Sequence, residues 1–157
     1  MNNSITRSKG VTLIELLFTL AIVGILASVA IPSFSDQLKQ DRLISNANQL
    51  QSVFKFARSE AAKRNETILL NENAGEWEVI INPGAANERI LQKFSATNSN
   101  ISVTRLADLT ITATGEIPGA PAANAGYLIT DNDSATTDYC LSVLVSGQSA
   151  LNQTNAC

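Results

Sequence analysis

Histidine is absent from this chain of 157 residues, which removes the commonest general base and the commonest metal ligand together. Serines and aspartates are plentiful, but without an imidazole no nucleophile–base pair stands out. An enzyme is not expected, and neither is a cofactor or a bound metal. Charge is scarce as well, at 16% of residues with a net of −3. From Ala61 onward there are five basic residues (Lys63, Arg64, Arg89, Lys93, Arg105) against ten acidic ones. A body that acidic gives no steering towards phosphate, so a general nucleic-acid binder is not indicated. Cysteine occurs twice, as Cys140 and Cys157. No internal repeat is visible, and the length suits one domain of moderate core plus one membrane segment.

Against that sparse background the first third of the chain is distinctive. Residues 1–10 form a short basic leader with Arg7 and Lys9. It is followed by Gly10-Val11-Thr12-Leu13-Ile14-Glu15-Leu16. Between Val11 and Ile31, sixteen of twenty-one residues are apolar and Glu15 is the only charge. As a helix, that run is roughly 31 Å long, about the hydrocarbon thickness of a bilayer. A carboxylate within it costs on the order of 2.5–3.5 kcal/mol on insertion scales, which a plain anchor would avoid. A simple secretory signal peptide, cleaved after Ser28-Val29-Ala30, is the bland alternative. The run is longer than a usual h-region, it carries Glu15 near its start, and the helical pattern continues past Ala30.

Beyond Pro32, apolar residues fall at Phe34, Leu38, Leu43, Ala47, Leu50, Phe54, Ala57 and Ala61. From Leu43 the spacings alternate between four and three, a single stripe along a helix. Gln37, Lys39, Gln40, Arg42, Gln49, Gln51, Lys55 and Arg58 lie mostly off it. Lys63 and Arg64 suit the negative end of the helix dipole. Gly24 and Pro32 interrupt the segment, and proline kinks or breaks helices. The pattern predicts one long, bent helix over 12–64, apolar all round in its first half (11–35) and amphipathic in its second (36–65).

Residues 66–157 read as β-structure. Thr67–Leu70 and Trp77–Ile81 flank the turn-rich Asn73-Ala74-Gly75-Glu76, which predicts a hairpin. Further strands are expected at Arg89–Phe94, Ile101–Leu106, Leu109–Ala113, Tyr127–Thr130 and Tyr139–Val145. The stretch from Pro118 to Gly126 is rich in small residues and reads as an exposed loop. The helical stripe needs an apolar partner, which a sheet with one inward face supplies. The fold class is therefore α+β.

Lys9-Gly10, Glu15 at the fifth place after it and Pro32 together resemble a type IV prepilin leader and helix. The run from Asp41 to Leu50 and the Ala57-Arg58-Ser59-Glu60-Ala61 helix end resemble, more specifically, the GspH/FimT/FimU branch of minor pilins and pseudopilins. Trp77 followed by Val79, the Leu109–Ile111 strand leading to Gly115 and two late cysteines also fit that branch. One departure is Val11, where most pilins place phenylalanine. The resemblance implies a pilin fold, with a long N-terminal helix packed on a C-terminal β-rich head. It implies cleavage after Gly10 by prepilin peptidase and N-methylation of Val11. It also implies an inner-membrane, single-pass location with a periplasmic head before entry into a filament of major and minor pilins.

The resemblance also gives Glu15 a purpose. Cleavage frees an α-amine on Val11, one helical turn from Glu15. In hydrocarbon a bare carboxylate protonates or finds a cation. In the family this residue is implied to pair with the N-terminal amine of the subunit it docks against, so the unpaired cost becomes a register signal. Snorkelling to the interface is the alternative. In the oxidising compartment so implied, a Cys140–Cys157 bond is expected, closing sixteen intervening residues for about 3 kcal/mol on the chain-entropy estimate. A redox or metal pair is the alternative, disfavoured by the wide spacing.

DNA-binding members of the branch carry a Gly-Arg-x-Arg motif near the C-terminal cysteine. Gly147-Gln148-Ser149-Ala150 stands there, with both basic positions replaced, so DNA binding is disfavoured. Asp131-Asn132-Asp133 with Asp138 could suggest calcium, but lacks the glycine and distal glutamate of a known loop and reads as a solvated hairpin tip. Three readings stay open: a minor pilin that starts or caps a type IV pilus, a GspH-like minor pseudopilin of a type II secretion system, and a DNA- or surface-binding module.

Overall fold

The computed structural model describes residues 10–104, 106–120, 126–154 and 157. The basic leader with Arg7 and Lys9, the centre of the expected 118–126 loop, and Arg105 lie outside the described residues. The chain forms two compact units, the first ending at Gln37 and the second spanning Leu38–Cys157.

Helix α1 (Leu13–Arg64) is one unbroken element, with Gly24 and Pro32 both inside it. In the first unit its large apolar side chains are exposed, from Leu13 through Ile31. Hydroxyls there turn back onto the helix: Thr19 donates to the Leu16 carbonyl (2.8 Å) and Ser28 to that of Ile25 (2.7 Å). Such bonds satisfy polar groups that hydrocarbon would leave bare. The most apolar 18-residue window has mean hydropathy 2.5 and none of it is buried, so the helix is long and apolar enough to cross a membrane.

In the second unit the stripe turns inward. Leu43, Ala47, Leu50, Val53, Phe54, Ala57 and Ala61 are all fully buried. The helix ends where the chemistry dictates. Asn65 takes φ +54° and the Glu66 amide reaches back to the Ala61 carbonyl at 3.2 Å, a Schellman closure. Asparagine tolerates that left-handed backbone better than most residues.

Strands β1 (Ile68–Asn73), β2 (Glu76–Ile81), β3 (Arg89–Phe94), β4 (Ser102–Thr104), β5 (Leu109–Ile111), β6 (Tyr127–Thr130), β7 (Tyr139–Val143) and β8 (Ser149–Gln153) follow. The β-rich part is built as two sheets: sheet A in the order β3-β2-β1-β5, and sheet B in the order β4-β6-β7-β8, with all strand pairs antiparallel. The first hairpin is tighter than its sequence suggests. β1 and β2 run to a two-residue turn, Ala74-Gly75, with φ +54° and +84°. Positive φ at both positions matches the twist of the strands it joins.

Inward positions of both sheets and the α1 stripe form one core. From sheet A come Ile68, Leu70, Trp77, Val79, Phe94 and Ile111, and from sheet B come Tyr127, Ile129, Leu141 and Val143. The strand expected over Tyr139–Val145 stops at Val143. There a turn closed by Leu144 and Gln148 leads into β8, which the sequence pattern did not announce.

Candidate functional site

The N-terminal feature is built around Thr12. Its hydroxyl accepts the Glu15 backbone N–H at 3.3 Å, and its carbonyl accepts Leu16 N–H at 3.2 Å. Thr12 is thus the N-cap and Glu15 the third residue of the helix, the Thr-x-x-Glu arrangement of a capping box. An acidic side chain in the first turn also complements the positive end of the helix dipole. Gly10 lies outside the helix and is exposed, with no atom close to where a side chain would begin. Val11 is exposed as well. A threonine three residues before a glutamate at the head of an apolar run is the sequence signature of such a cap, which hydropathy alone does not show.

Three of the polar residues flanking the stripe, Lys39, Gln40 and Arg58, tie the helix to distant turns. The Gln40 amide meets Thr137 from both sides, accepting its N–H at 2.8 Å and donating to its carbonyl at 3.0 Å. Lys39 pairs with Asp133 at 2.8 Å. That hydrogen bond and the Ala135 backbone N–H hold the Asp133 carboxyl below its ordinary range. Asp131 accepts Asp133 N–H and the Thr136 hydroxyl. The acidic hairpin tip between β6 and β7, with Asn132, Ser134 and Ala135 exposed, is thus tied into itself and onto α1. No cluster of three or more His, Cys, Asp or Glu arranged for a metal occurs among the described residues. Asn46, only 3% exposed, donates to the Arg42 carbonyl (2.8 Å) and accepts Thr97 N–H (2.9 Å).

A groove of about 910 Å³ lies in the second unit. α1 contributes Lys55, Arg58 and Ser59, and β8 with its preceding turn contributes Gly147, Gln148 and Ala150. Arg58 holds two turns together, donating from Nε to the Gly115 carbonyl (3.2 Å) and from its terminal nitrogen to that of Ser146 (3.4 Å). Gly147 sits beneath them at φ +75°. A side chain there would collide with the Gly115 carbonyl and come within 2.6 Å of Arg58 Nε, so glycine is required twice over. Lys55 has no ion-pair partner among the described residues. The Gly147–Ala150 segment lacks arginines of its own, yet the structure sets it opposite two cations that α1 supplies. The sequence shows Arg58 only as an off-stripe residue in a helix-end signature, because partners 57 and 88 residues away leave no local signal.

Cys140 and Cys157 are joined in a disulfide with Cα atoms 5.6 Å apart. Gly126 packs against it so closely that a side chain there would meet both sulfurs. The bond fastens the end of the chain beside β7.

Comparison with known proteins places these features. Residues 46–148 match the family model described as type II transport protein GspH, and residues 5–31 match the prokaryotic N-terminal methylation motif. No curated protein matches the chain. Two crystal structures of the type IV minor pilin FimU of Pseudomonas aeruginosa share its fold. The first has a TM-score of 0.58 and 18% identity, over 76% of this chain and 97% of that one. The second has a TM-score of 0.55 and 19% identity, over 73% of this chain and 99% of that one. With a long apolar-to-amphipathic helix, antiparallel sheets, a closing disulfide and a methylation motif at its start, the chain belongs to the GspH family of pilin-like proteins.

Proposed function

We propose that the protein is a minor pilin of a type IV pilus, present in few copies and helping to start or cap the filament. The observation that carries this reading is Glu15, set in the first turn of an exposed apolar helix one turn after Val11. Prepilin peptidase cleaves after Gly10, Val11 becomes the methylated N-terminus, and the freed amine is the counter-charge a neighbouring subunit offers to Glu15. Residues 11–35 cross the inner membrane before assembly, with Gly24 and Pro32 as points of bending, and the β-rich part is periplasmic. The protein is an assembly subunit rather than an enzyme. The fold shared with a type IV minor pilin supports the choice of pilus.

The family model carries a type II transport description, and that favours the second reading, a minor pseudopilin of a short periplasmic filament. Deletion of the gene separates the two. Loss of surface filaments with protein secretion intact is expected, and the reverse outcome would transfer the protein to secretion. Within either filament, Glu15→Ala is expected to be cleaved and inserted normally but to be depleted from the sheared or cross-linked assembly. Normal incorporation would sink the pairing role.

A further inference from the structure

Each of the two sheets has two edges, and three of the four are managed in recognised ways. β4 and β5 are three residues long, and β3 carries Arg89 and Lys93. The fourth edge, β8, is different. It has five residues, Ser-Ala-Leu-Asn-Gln, with no charge and no proline. It lies within a stretch, residues 139–157, that contains no charged residue at all.

The hydrogen-bond alternation shows which backbone groups are open. Leu144 N–H bonds the Gln148 carbonyl and Thr154 N–H bonds the Asp138 carbonyl, so residues 148, 150, 152 and 154 face β7. The N–H and C=O groups of Ser149, Leu151 and Gln153 therefore point away from it, and none has a partner among the described residues. Open edges of this kind are templates for another strand.

The groove along this strand selects what could pair. Ser149, Ala150 and Asn152 line it together with Lys55 and Arg58, its only charged residues among those described. In a chain of net charge −3, a groove with two cations and no carboxylate is complementary to an acidic guest. Arg58 spends its Nε and one terminal nitrogen on the Gly115 and Ser146 carbonyls, which leaves its other terminal nitrogen and the Lys55 ammonium to take single carboxylate contacts; a phosphate clamp, which needs several donors converging at once, is the weaker match.

We propose that β8 is a docking edge for an extended, carboxylate-bearing segment of another subunit, which adds as a fifth strand to sheet B while Lys55 and Arg58 receive its acidic side chains. The inference rests on reading the chain as an assembly subunit. Its test reads the edge alone, so its failure is distinct from a failure of Glu15 to direct filament entry.

The test uses the full chain in detergent micelles with two synthetic eight-residue peptides, one alternating valine with glutamate and one alternating valine with lysine. Backbone amide exchange is followed at residues 149, 151 and 153. The glutamate peptide is expected to bind and slow exchange at those three amides by about tenfold or more, while the lysine peptide does neither. Lys55→Glu is expected to weaken the glutamate peptide by about tenfold. Gln153→Pro removes only an outward N–H, which an edge position tolerates, and is expected to abolish the added protection while leaving thermal unfolding close to that of the parent. Equal binding of both peptides, or no binding of the glutamate peptide at millimolar concentration, overturns the proposal. So does binding of either peptide or of duplex DNA that leaves the three amides exchanging at their free rate.

Discussion

The rings of Trp77 and Tyr127 meet with centroids 4.7 Å apart and planes at 78°, joining the inward faces of sheets A and B. Trp77 satisfies its indole N–H on the Ala107 carbonyl at 3.2 Å. Tyr127 does not do the same: its hydroxyl is buried with no partner among the described residues. Burial pushes the Tyr127 phenol up to about 12. An unpaired buried polar group costs about 1–3 kcal/mol, and phenylalanine keeps the ring contact without it. Tyr127→Phe is therefore expected to raise unfolding free energy by about 1 kcal/mol in denaturant titration. The raised phenol favours the folded state below pH 10, and that contribution is lost as pH climbs towards 12. The variant should show a shallower alkaline loss; an unchanged alkaline slope together with lower stability would mean the hydroxyl has a partner after all.

Asn46 shows how a polar residue in the helix positions the segment after β3. It holds Thr97 N–H at 2.9 Å while anchoring itself on the Arg42 carbonyl. Asn46→Ala removes both bonds from a residue that is 3% exposed and is expected to cost about 1–2 kcal/mol. The sharper readout is local: amide exchange at Thr97 should quicken in Asn46→Ala but not in Asn46→Asp, which keeps the acceptor. Equal quickening in both would assign the effect to general loosening.

Glu60 lies on the inward side of the helix with 8% exposure, accepting from Arg64 at 2.6 Å and pairing with Lys63 at 3.7 Å. The Arg64 hydrogen bond is the main cause that holds its carboxyl below the ordinary 4.5. A depressed folded-state value stabilises the protein above the unfolded value, and the contribution disappears as pH falls through the folded one. Lys93 acts on Glu76, with help from Ser95, and Lys39 acts on Asp133, both in the same direction. Thermal midpoints should fall as pH drops below 4.5, and Glu60→Gln should lower the neutral-pH midpoint while flattening that fall. A parallel curve for Glu60→Gln would count against the Arg64 interaction.

Periodicity carried the helix and most of the strands because burial there repeats at 3.6 or 2 residues. Leu43, Leu50, Phe54 and Ala61 lie on the core side as their spacing requires. β8 was illegible because Ser149, Ala150, Asn152 and Gln153 are neither β-branched nor aromatic, and the strand is recruited by Gly147 turning the chain back beside β7. The division into two sheets is hidden for a related reason: strand order depends on pairings such as β1 with β5, whose partners Leu70 and Leu109 or Ile68 and Ile111 lie far apart in sequence. At the N-terminus, Glu15 was conspicuous because charge is rare in an apolar run. Thr12 was not, because a threonine there changes no hydropathy pattern. The groove lay deepest, since Lys55, Arg58 and Gly147 meet only after the whole second unit has folded.

The Cys140–Cys157 bond fixes the chain end against β7, and its removal supplies the last test. The residues it joins are 17 apart in sequence, a closure worth about 3 kcal/mol in the chain-entropy account. β8 lies inside that loop and pairs with β7 alone, so the unfolded strand regains much of its freedom once the bond is cut. Reduction, or Cys157→Ser, is expected to lower unfolding free energy by about 3 kcal/mol and to quicken exchange at β8 amides before those of β1 or β2. Gly126→Ala should mimic part of this with both cysteines present, because a methyl there would press on both sulfurs. If reduction destabilises every strand uniformly, the bond acts on the unfolded chain alone and β8 is held by its neighbours; a loss confined to β8 places the strand's anchorage in the disulfide.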